Sequence, residues 1–384
     1  MGEDRGLWGL KFSLVRLDTM ATCKKCGRVS EEIAEVLSLC AGCIRKADDG
    51  FRAEIQEIHS RGRQEFGLSS LPSSACNGVQ CVLCQNKCKI PIGGRGYCGV
   101  RRNEKGHLRG GTSKEAVVSW YYDALPTNCV ADWVCAGGSG AGYPQWAYRA
   151  GPERGYLNLA VFYEACTFDC LFCQNWHYRK HSLTNRTHTA QELAEAVTAQ
   201  TSCICFFGGD PTCQLPHALA ASRLAWRQSG QRILRICWET NGSMNPKLLD
   251  KMMDLSLESG GCVKFDLKAI NSNIHFALCG VSNSQTLENF AAAAKRIPER
   301  PQPPPLIAST LLVPGYIDVQ EVGAIASFIA ELDPNIPYVL LGFHGDFLMT
   351  DLPATSWKQA EDCLAAAKSA GLKCVRIGNI HILR

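Results

Sequence analysis

The segment Cys166-Thr-Phe-Asp-Cys170-Leu-Phe-Cys173-Gln-Asn places three thiols in one short loop. Thiolates are the usual protein ligands of the irons in an iron–sulfur cubane, one to each iron. Three ligands leave the fourth iron open, because the next cysteine, Cys203, stands far outside the loop in an apolar run. Simple electron transfer would require a fourth ligand, so an open iron points to chemistry performed on something bound there.

Further chemistry-bearing residues follow apolar runs. Phe206-Phe207-Gly208-Gly209-Asp210-Pro211 comes directly after Cys203-Ile204-Cys205 and reads as a buried strand ending in a glycine turn. Glycines let main-chain groups approach a ligand closely, and a carboxylate accepts charge-assisted hydrogen bonds from an amine. Cys237-Trp238-Glu239-Thr240-Asn241-Gly242 and Val263-Lys264-Phe265-Asp266-Leu267-Lys268 end the next two apolar runs in the same manner.

Together these residues resemble the radical S-adenosylmethionine (SAM) superfamily, whose C-x3-C-x2-C loop holds a [4Fe-4S] cluster chelated by SAM. The resemblance implies that Cys166, Cys170 and Cys173 hold the cluster. Gly208, Gly209 and Asp210 correspond to the family's GGE motif, with Asp in place of the usual Glu, and would bind SAM with Glu239 and Asn241. In glycyl-radical-enzyme activases, such as the pyruvate formate-lyase activating enzymes, similar E-T-N-G and D-x-K segments line the SAM and substrate cavity. By that likeness Asp266 and Lys268 face substrate, His275, Gly280 and Asn283 fall in an H-x4-G-x-x-N continuation, and His344 in Leu341-Gly-Phe-His-Gly-Asp-Phe347 faces SAM or substrate. The implied activity is reductive cleavage of SAM to a 5'-deoxyadenosyl radical that abstracts hydrogen from a substrate. A protein substrate is favoured, with an RNA or small molecule as alternatives, and an external donor such as flavodoxin or ferredoxin would supply the electron. The reading from a different class is a non-catalytic zinc-ribbon and barrel binding protein.

Two cysteine sets precede this region. Cys23-x2-Cys26 and Cys40-x2-Cys43 are paired knuckles thirteen residues apart, which suits tetrahedral zinc. The alternatives are a rubredoxin-like iron site or disulfides. Lys24, Lys25 and Arg28 beside them read as a solvated face, with nucleic acid as the other option. The second set, Cys81-x2-Cys84-x3-Cys88-x9-Cys98, holds either zinc or a second cluster, since spacing does not choose between them. This set, with Gly96-Tyr-Cys98-Gly-Val-Arg and Cys166-Thr-Phe-Asp-Cys-Leu-Phe-Cys-Gln-Asn175, resembles the AmmeMemoRadiSam-system radical SAM enzymes over roughly residues 78 to 384. Cys203, Cys205, Cys213, Cys237, Cys262, Cys279, Cys363 and Cys374 sit mostly in apolar runs and read as small buried hydrophobes, while Cys76, Cys129 and Cys135 remain possible extra ligands.

The elements that must position these groups alternate from residue 157 onward. Strand-like runs at 157–163, 203–207, 233–238, 262–267, 306–313, 338–342 and 373–377 are separated by helical patterns near 190–200, 217–229, 246–259, 285–297, 319–332 and 355–370. Such alternation predicts a parallel sheet, with active residues at the carboxyl ends of its strands. Too few strands for a closed eight give an α/β fold with a partial (β/α)6-type TIM barrel and N-terminal cysteine-rich metal-binding modules. The expected division is a ribbon at 1–50, the second module at 51–111, a glycine-rich connection at 112–156 and the barrel at 157–384. Within the connection, Cys135-Ala-Gly-Gly-Ser-Gly-Ala-Gly-Tyr-Pro lacks the Lys-Ser or Lys-Thr of a phosphate loop, and is expected as a flexible loop near the barrel mouth.

The 384 residues suffice for one large core and an appended domain, and 46% hydrophobic content is ordinary for a globular chain. Twenty-two cysteines at metal-ligand spacings, with no signal-peptide pattern and no membrane-length apolar segment, point to a reducing cytoplasm and no membrane. Met20, just before the ribbon, is an alternative start to Met1. A net charge of +4 neither demands nor excludes an acidic partner.

Overall fold

The computed structural model describes residues 20–127, 129–184 and 186–384, so the start at Met1 and the first part of the 1–50 module lie outside the described residues. One large sheet organises the rest. Its strands are β1 (Val118–Ala124), β2 (Leu157–Tyr163), β3 (Thr201–Gly208), β4 (Arg235–Thr240), β5 (Val263–Asp266), β6 (Leu306–Leu312), β7 (Tyr338–Gly342) and β8 (Val375–Gly378). They lie side by side in chain order. From β2 to β8 every pairing is parallel, while β1 runs antiparallel along β2 from Val118 opposite Tyr163 to Ala124 opposite Leu157. β1 and β8 do not pair with each other, so the barrel is partial, as the strand count implied.

Strand alternation sorts the side chains between two environments. On β3 and β4, Phe206 stacks on Trp238 with ring centroids 4.5 Å apart, and the Trp238 indole donates to Ser256 Oγ at 3.1 Å, so this face meets the helix layer. The alternate residues, Cys203, Cys205, Cys237 and Glu239, line the interior. The crossover helices begin where the sequence signals them. Thr189 and Glu192 form a capping box, and Asn245 caps the helix Pro246–Ser259.

Three elements were not visible in the pattern or were shorter than expected. β1 falls in the segment read as connection, because an edge strand with Tyr121 and Tyr122 about half exposed lacks clean alternation. The helix Ser272–Cys279 is only eight residues long and is started by Asn271. The helix expected over 190–200 covers Ala190–Glu195, since Thr201 Oγ1 accepts from Thr198 N at 3.0 Å and draws the chain into a turn. The glycine-rich run is also misplaced by the expectation of a mobile loop at the mouth. It lies at the amino-terminal ends of the parallel strands and is pinned there. Arg235 at the start of β4 bonds Glu153 through 2.9 and 2.6 Å contacts and Trp146 O at 2.9 Å, all but the last fully buried.

The N-terminal modules dock on the loops of the barrel. The ribbon rests on Gly315-Tyr316, where Tyr316 Oη accepts from Ala34 N at 2.9 Å and donates to Leu39 O at 3.0 Å. Gly315 has φ +75°, and a Cβ there would stand 2.1 Å from Glu32 O. The second module pairs with the turn after β4, through Gln85 N to Ser243 O at 3.0 Å and Asn245 N to Leu83 O at 2.9 Å, and Asn86 Nδ2 donates to Thr167 O at 2.9 Å.

Between them the helix α1 (Asp49–Gln64) reaches the cysteine loop itself. Asp169, buried in the loop between Cys166 and Cys170, receives His59 Nδ1 at 2.9 Å, Arg63 Nη1 at 3.3 Å and Arg179 Nη2 at 3.0 Å. Against the upward push of burial, the His59 hydrogen bond and the two guanidinium groups hold its carboxyl well below the usual carboxylate value of 3.8. A group lowered on folding adds stability that is complete above its unfolded value and is lost as the pH falls below it.

Removing the charge leaves two buried guanidinium groups short of a counter-ion, an arrangement that costs about 3–5 kcal/mol. Asp169→Asn is expected to lower unfolding free energy by that order at pH 7. The gap to the wild type should narrow below about pH 4, and denaturant melts of the metal-free chains across pH test both statements.

Candidate active site

The cysteine loop follows β2 and is fixed from three sides. Asp169 N donates to Cys279 O and Leu171 N to Leu278 O, each at 2.9 Å, at the end of the helix Ser272–Cys279. Phe168 meets the buried His275 ring edge-on at 5.2 Å, and His275 Nδ1 contacts Val281 O at 2.9 Å. Gly280, at φ +70°, leaves room for His59, whose Nδ1 would lie 2.8 Å from any Cβ there. Asn283 ties down the preceding turn through Ala269 O and Ile270 O at 3.0 and 2.9 Å. His275, Gly280 and Asn283 thus act as scaffold beneath the loop.

Cys166, Cys170 and Cys173 line a cavity of about 200 Å³ at the carboxyl ends of the strands, together with Gly208, Gly209, Asp210, Glu239, Asn241, Asp266 and Lys268. Gly208 and Gly209 are there because the turn presses on the chain leaving β2. A Cβ on Gly208, at φ +116°, would be 2.4 Å from Tyr163 N, and one on Gly209 would be 2.3 Å from Ala165 O. Asn175 Nδ2 donates to Gly208 O at 3.3 Å, which joins the glycine turn to the segment after Cys173.

Asp210 has both oxygens engaged: Oδ1 accepts from Thr212 N at 2.7 Å, and Oδ2 accepts from Thr240 Oγ1 at 3.0 Å and Asn241 N at 2.7 Å. Burial pushes its carboxyl upward against these hydrogen bonds. The carboxylate therefore clamps the β3 turn to the end of β4. Asn241, so held, directs Nδ2 at Thr167 Oγ1 at 2.8 Å and Cys166 Sγ at 3.7 Å. Lys268 pairs with Asp266 and lies 5.5 Å over the Phe172 ring, and against the downward push of burial the Asp266 carboxylate holds its ammonium firmly charged. Asp266 Oδ1 is buried without a hydrogen-bond partner and is free to accept from a ligand. Glu239 sits 3.0 Å from Lys264 Nζ, at the boundary with the barrel interior.

His344 does not join this group. β7 ends at Gly342, Phe343 turns into the core, and His344 is left exposed outside the cavity. Sequence reasoning missed Asn175 as a contact of the glycine turn and Ser309 on the cavity wall. It missed too the His59, Arg63 and Arg179 shell around Asp169, which has no motif because two of its members lie on α1, more than a hundred residues before the loop, and the third lies after Cys173.

Residues 160–329 match the family model described as the Radical SAM superfamily. This part of the chain is similar to radical SAM domains. An uncharacterized protein of Methanocaldococcus jannaschii is 27% identical over 312 residues, covering 79% of this chain and 82% of its own. The isethionate sulfite-lyase activating enzyme of Desulfovibrio desulfuricans is 33% identical over 36% of this chain and 40% of its own. The pyruvate formate-lyase 1-activating enzyme of Escherichia coli is 28% identical over 34% of this chain and 54% of its own. The chain thus spans about half or less of the length of these two named activating enzymes.

The radical SAM family implies a [4Fe-4S] cluster and SAM, and the loop suits the cluster. Among the described residues, only Cys23, Cys26, Cys40 and Cys43 bring three or more ligand atoms within 4.8 Å of one another, the spacing of a single ion. The three loop sulfurs share a cavity at wider spacing, as a multi-iron group requires. Burial raises the Cys166 and Cys173 thiols, and the neighbouring Cys279 thiol with burial raises Cys170, so bound metal would be what keeps them as thiolates. No helix among the described residues is long and apolar enough to cross a membrane.

Hydrogen bonds to cluster sulfurs raise the reduction potential. Asn241→Ala, which removes the contact to Cys166 Sγ, is expected to keep the iron content and make the cluster potential more negative. An EPR-monitored redox titration reads this, and an unchanged potential would show that the 3.7 Å contact has no electronic role.

Proposed function

We propose that this chain is an enzyme that cleaves SAM reductively and turns the resulting radical on a protein substrate, in the manner of a glycyl-radical-enzyme activase. The observation that carries the reading is the convergence of three loop thiols, the glycine turn and the Asp266–Lys268 pair on one cavity at the carboxyl ends of the strands. A cluster and SAM held there would supply the hard step, one-electron cleavage of a sulfonium carbon–sulfur bond to methionine and a 5'-deoxyadenosyl radical.

The protein's part is to hold and to shield. Main-chain groups at Gly208 and Gly209 would hold the methionyl end of SAM. Asp210 would act through the turn it clamps, Asn241 would steady Cys166, and Glu239 would face the amine or the substrate. Asp266 Oδ1 offers an acceptor for a hydroxyl, and Lys268 offers a fixed positive charge. Phe168, Phe172, Phe207, Leu311 and Leu341 give the cavity apolar walls, which supports exclusion of water from a reactive carbon radical. A protein substrate is supported by the names of the relatives, which are activating enzymes for other proteins, and an external flavodoxin or ferredoxin would supply the electron.

Anaerobic reconstitution, reduction and addition of SAM are expected to give 5'-deoxyadenosine from the wild type and none from Cys173→Ala. Absence of product from a fully loaded, reducible wild-type protein, with and without the partner that co-purifies with it, would sink the enzymatic reading.

For the ribbon we propose structural zinc. Cys26 Sγ and Cys40 Sγ are 3.8 Å apart, as two thiolates on one tetrahedral ion would be, and all four ribbon sulfurs lie within 4.8 Å of one another. Cys26→Ser/Cys43→Ser is expected to lower zinc by one equivalent per chain by elemental analysis with iron unchanged. The second set, Cys81, Cys84, Cys88 and Cys98, lines one narrow cavity with Cys213 and would hold zinc or a further cluster.

A further inference from the structure

A second cavity, of about 240 Å³, occupies the barrel interior on the amino-terminal side of the one just described, and the two meet at Phe207, Glu239 and Lys264. Barrels of this kind normally fill this region with layers of bulky Val, Ile and Leu side chains. Here Cys203, Cys205, Cys237 and Cys262 take the inward positions of β3, β4 and the start of β5, beside Ala160 and Asn158 on β2, and a space remains. Read from sequence, these cysteines were small buried hydrophobes. The structure brings their thiols to one wall.

The arrangement is a row. Cys205 is directly opposite Cys237 in the parallel register, and Trp238 N bonds Cys262 O at 2.9 Å, so Cys205, Cys237 and Cys262 stand on three successive strands at one level. Cys129 and Cys135 reach the same cavity from the segment that closes this end of the barrel. That segment is rigid, fixed by the buried Arg235–Glu153 pair and by the Cys135 Sγ contact from Gly138 N at 3.3 Å. Cys203 is separately engaged, with its thiol 3.1 Å from Asn158 Oδ1.

A second and independent observation points to a ligand. Lys264, 2% exposed, aims its ammonium at the sulfurs of Cys129 and Cys205, at 3.1 and 3.0 Å. Its carboxylate neighbour among the described residues, Glu239 at 3.0 Å, is itself 34% exposed, and the other two contacts of the ammonium are thiols. A buried ammonium needs negative charge close by, and neutral thiols are weak partners for it. Metal-bound thiolates and the sulfide of a cluster would supply that charge. Sulfur spacing argues for several metals over one. These thiols, like those of the loop after β2, do not all come within the 4.8 Å of one another that the ribbon cysteines achieve, a spacing wider than one ion needs.

We propose that the barrel interior holds an iron–sulfur cluster of its own, ligated by Cys205, Cys237 and Cys262 with a thiolate from Cys129 or Cys135, and with Lys264 as its charge partner. It is distinct from the cluster of Cys166, Cys170 and Cys173, and does not depend on what substrate the radical attacks. Its position behind Glu239 and Lys264 puts it on the far side of the SAM cavity from the outer cluster.

The test uses the full chain with Cys166, Cys170 and Cys173 all changed to alanine, reconstituted anaerobically with ferrous iron and sulfide. This parent is expected to retain iron, acid-labile sulfide and sulfur-to-iron charge-transfer absorption. Adding Cys237→Ala/Cys262→Ala should remove one cluster's worth of iron and sulfide, whereas Cys203→Ala should leave them in place. Should the double variant fail to fold by circular dichroism, the single variants Cys205→Ser and Cys262→Ser carry the same comparison. A parent devoid of iron and sulfide, or equal contents in folded parent and variants as iron bound at Cys81–Cys98 would give, overturns the proposal.

Discussion

A single carboxylate, Asp169, governs how the catalytic loop sits. It lies between Cys166 and Cys170 in sequence and is almost wholly removed from water, so its charge must be met locally or its burial would be prohibitive. His59 and Arg63 come to it from the N-terminal helix, and Arg179 from the segment after the third cysteine. Arg63 in turn reaches Ser69 O at 2.6 Å and the Tyr97 carbonyl in the second cysteine module. The modules before the barrel are consequently part of the mounting of the active loop, and the barrel strands alone would leave that carboxylate with only one of its three partners.

The barrel divides its work between its two ends. At the carboxyl ends of the strands, backbone turns and a few charged groups are arranged around the cavity proposed to receive SAM. At the amino ends, a glycine-rich segment is bolted in place by Arg235 and Glu153, and the inward positions carry thiols. Lys264 on β5 touches both regions, through Glu239 on one side and two sulfurs on the other. Strand periodicity makes this possible, since Lys264 and Asp266 share one face of a strand two residues apart and so serve adjoining levels of the same interior.

Most of the sheet and the core of the site were legible in the sequence because they rest on local signals. The apolar runs fixed β2 to β8 to within a few residues. The C-x3-C-x2-C spacing, the glycine turn and the two charged strand ends each announced themselves within six or eight residues. What stayed hidden depends on contacts between distant segments. β1 has the half-exposed aromatics of an edge strand, the Asp169 shell is assembled from residues 59, 63 and 179, and the row of inward cysteines is visible only once the register of β3 and β4 is known. His344 failed for the opposite reason. Its motif was clear, but the direction in which a side chain leaves a turn is set by the neighbouring Phe343, which takes the core position.

Gly280 has a consequence for how such a chain can change over time. Its missing side chain is the space that His59 occupies, and His59 is there to meet Asp169. A larger residue at 280 would evict the imidazole, and loss of the imidazole would weaken the case for an acid at 169. Positions 59, 169 and 280 are therefore expected to covary as a set among relatives, retained together where the N-terminal helix is present and released together where it is absent.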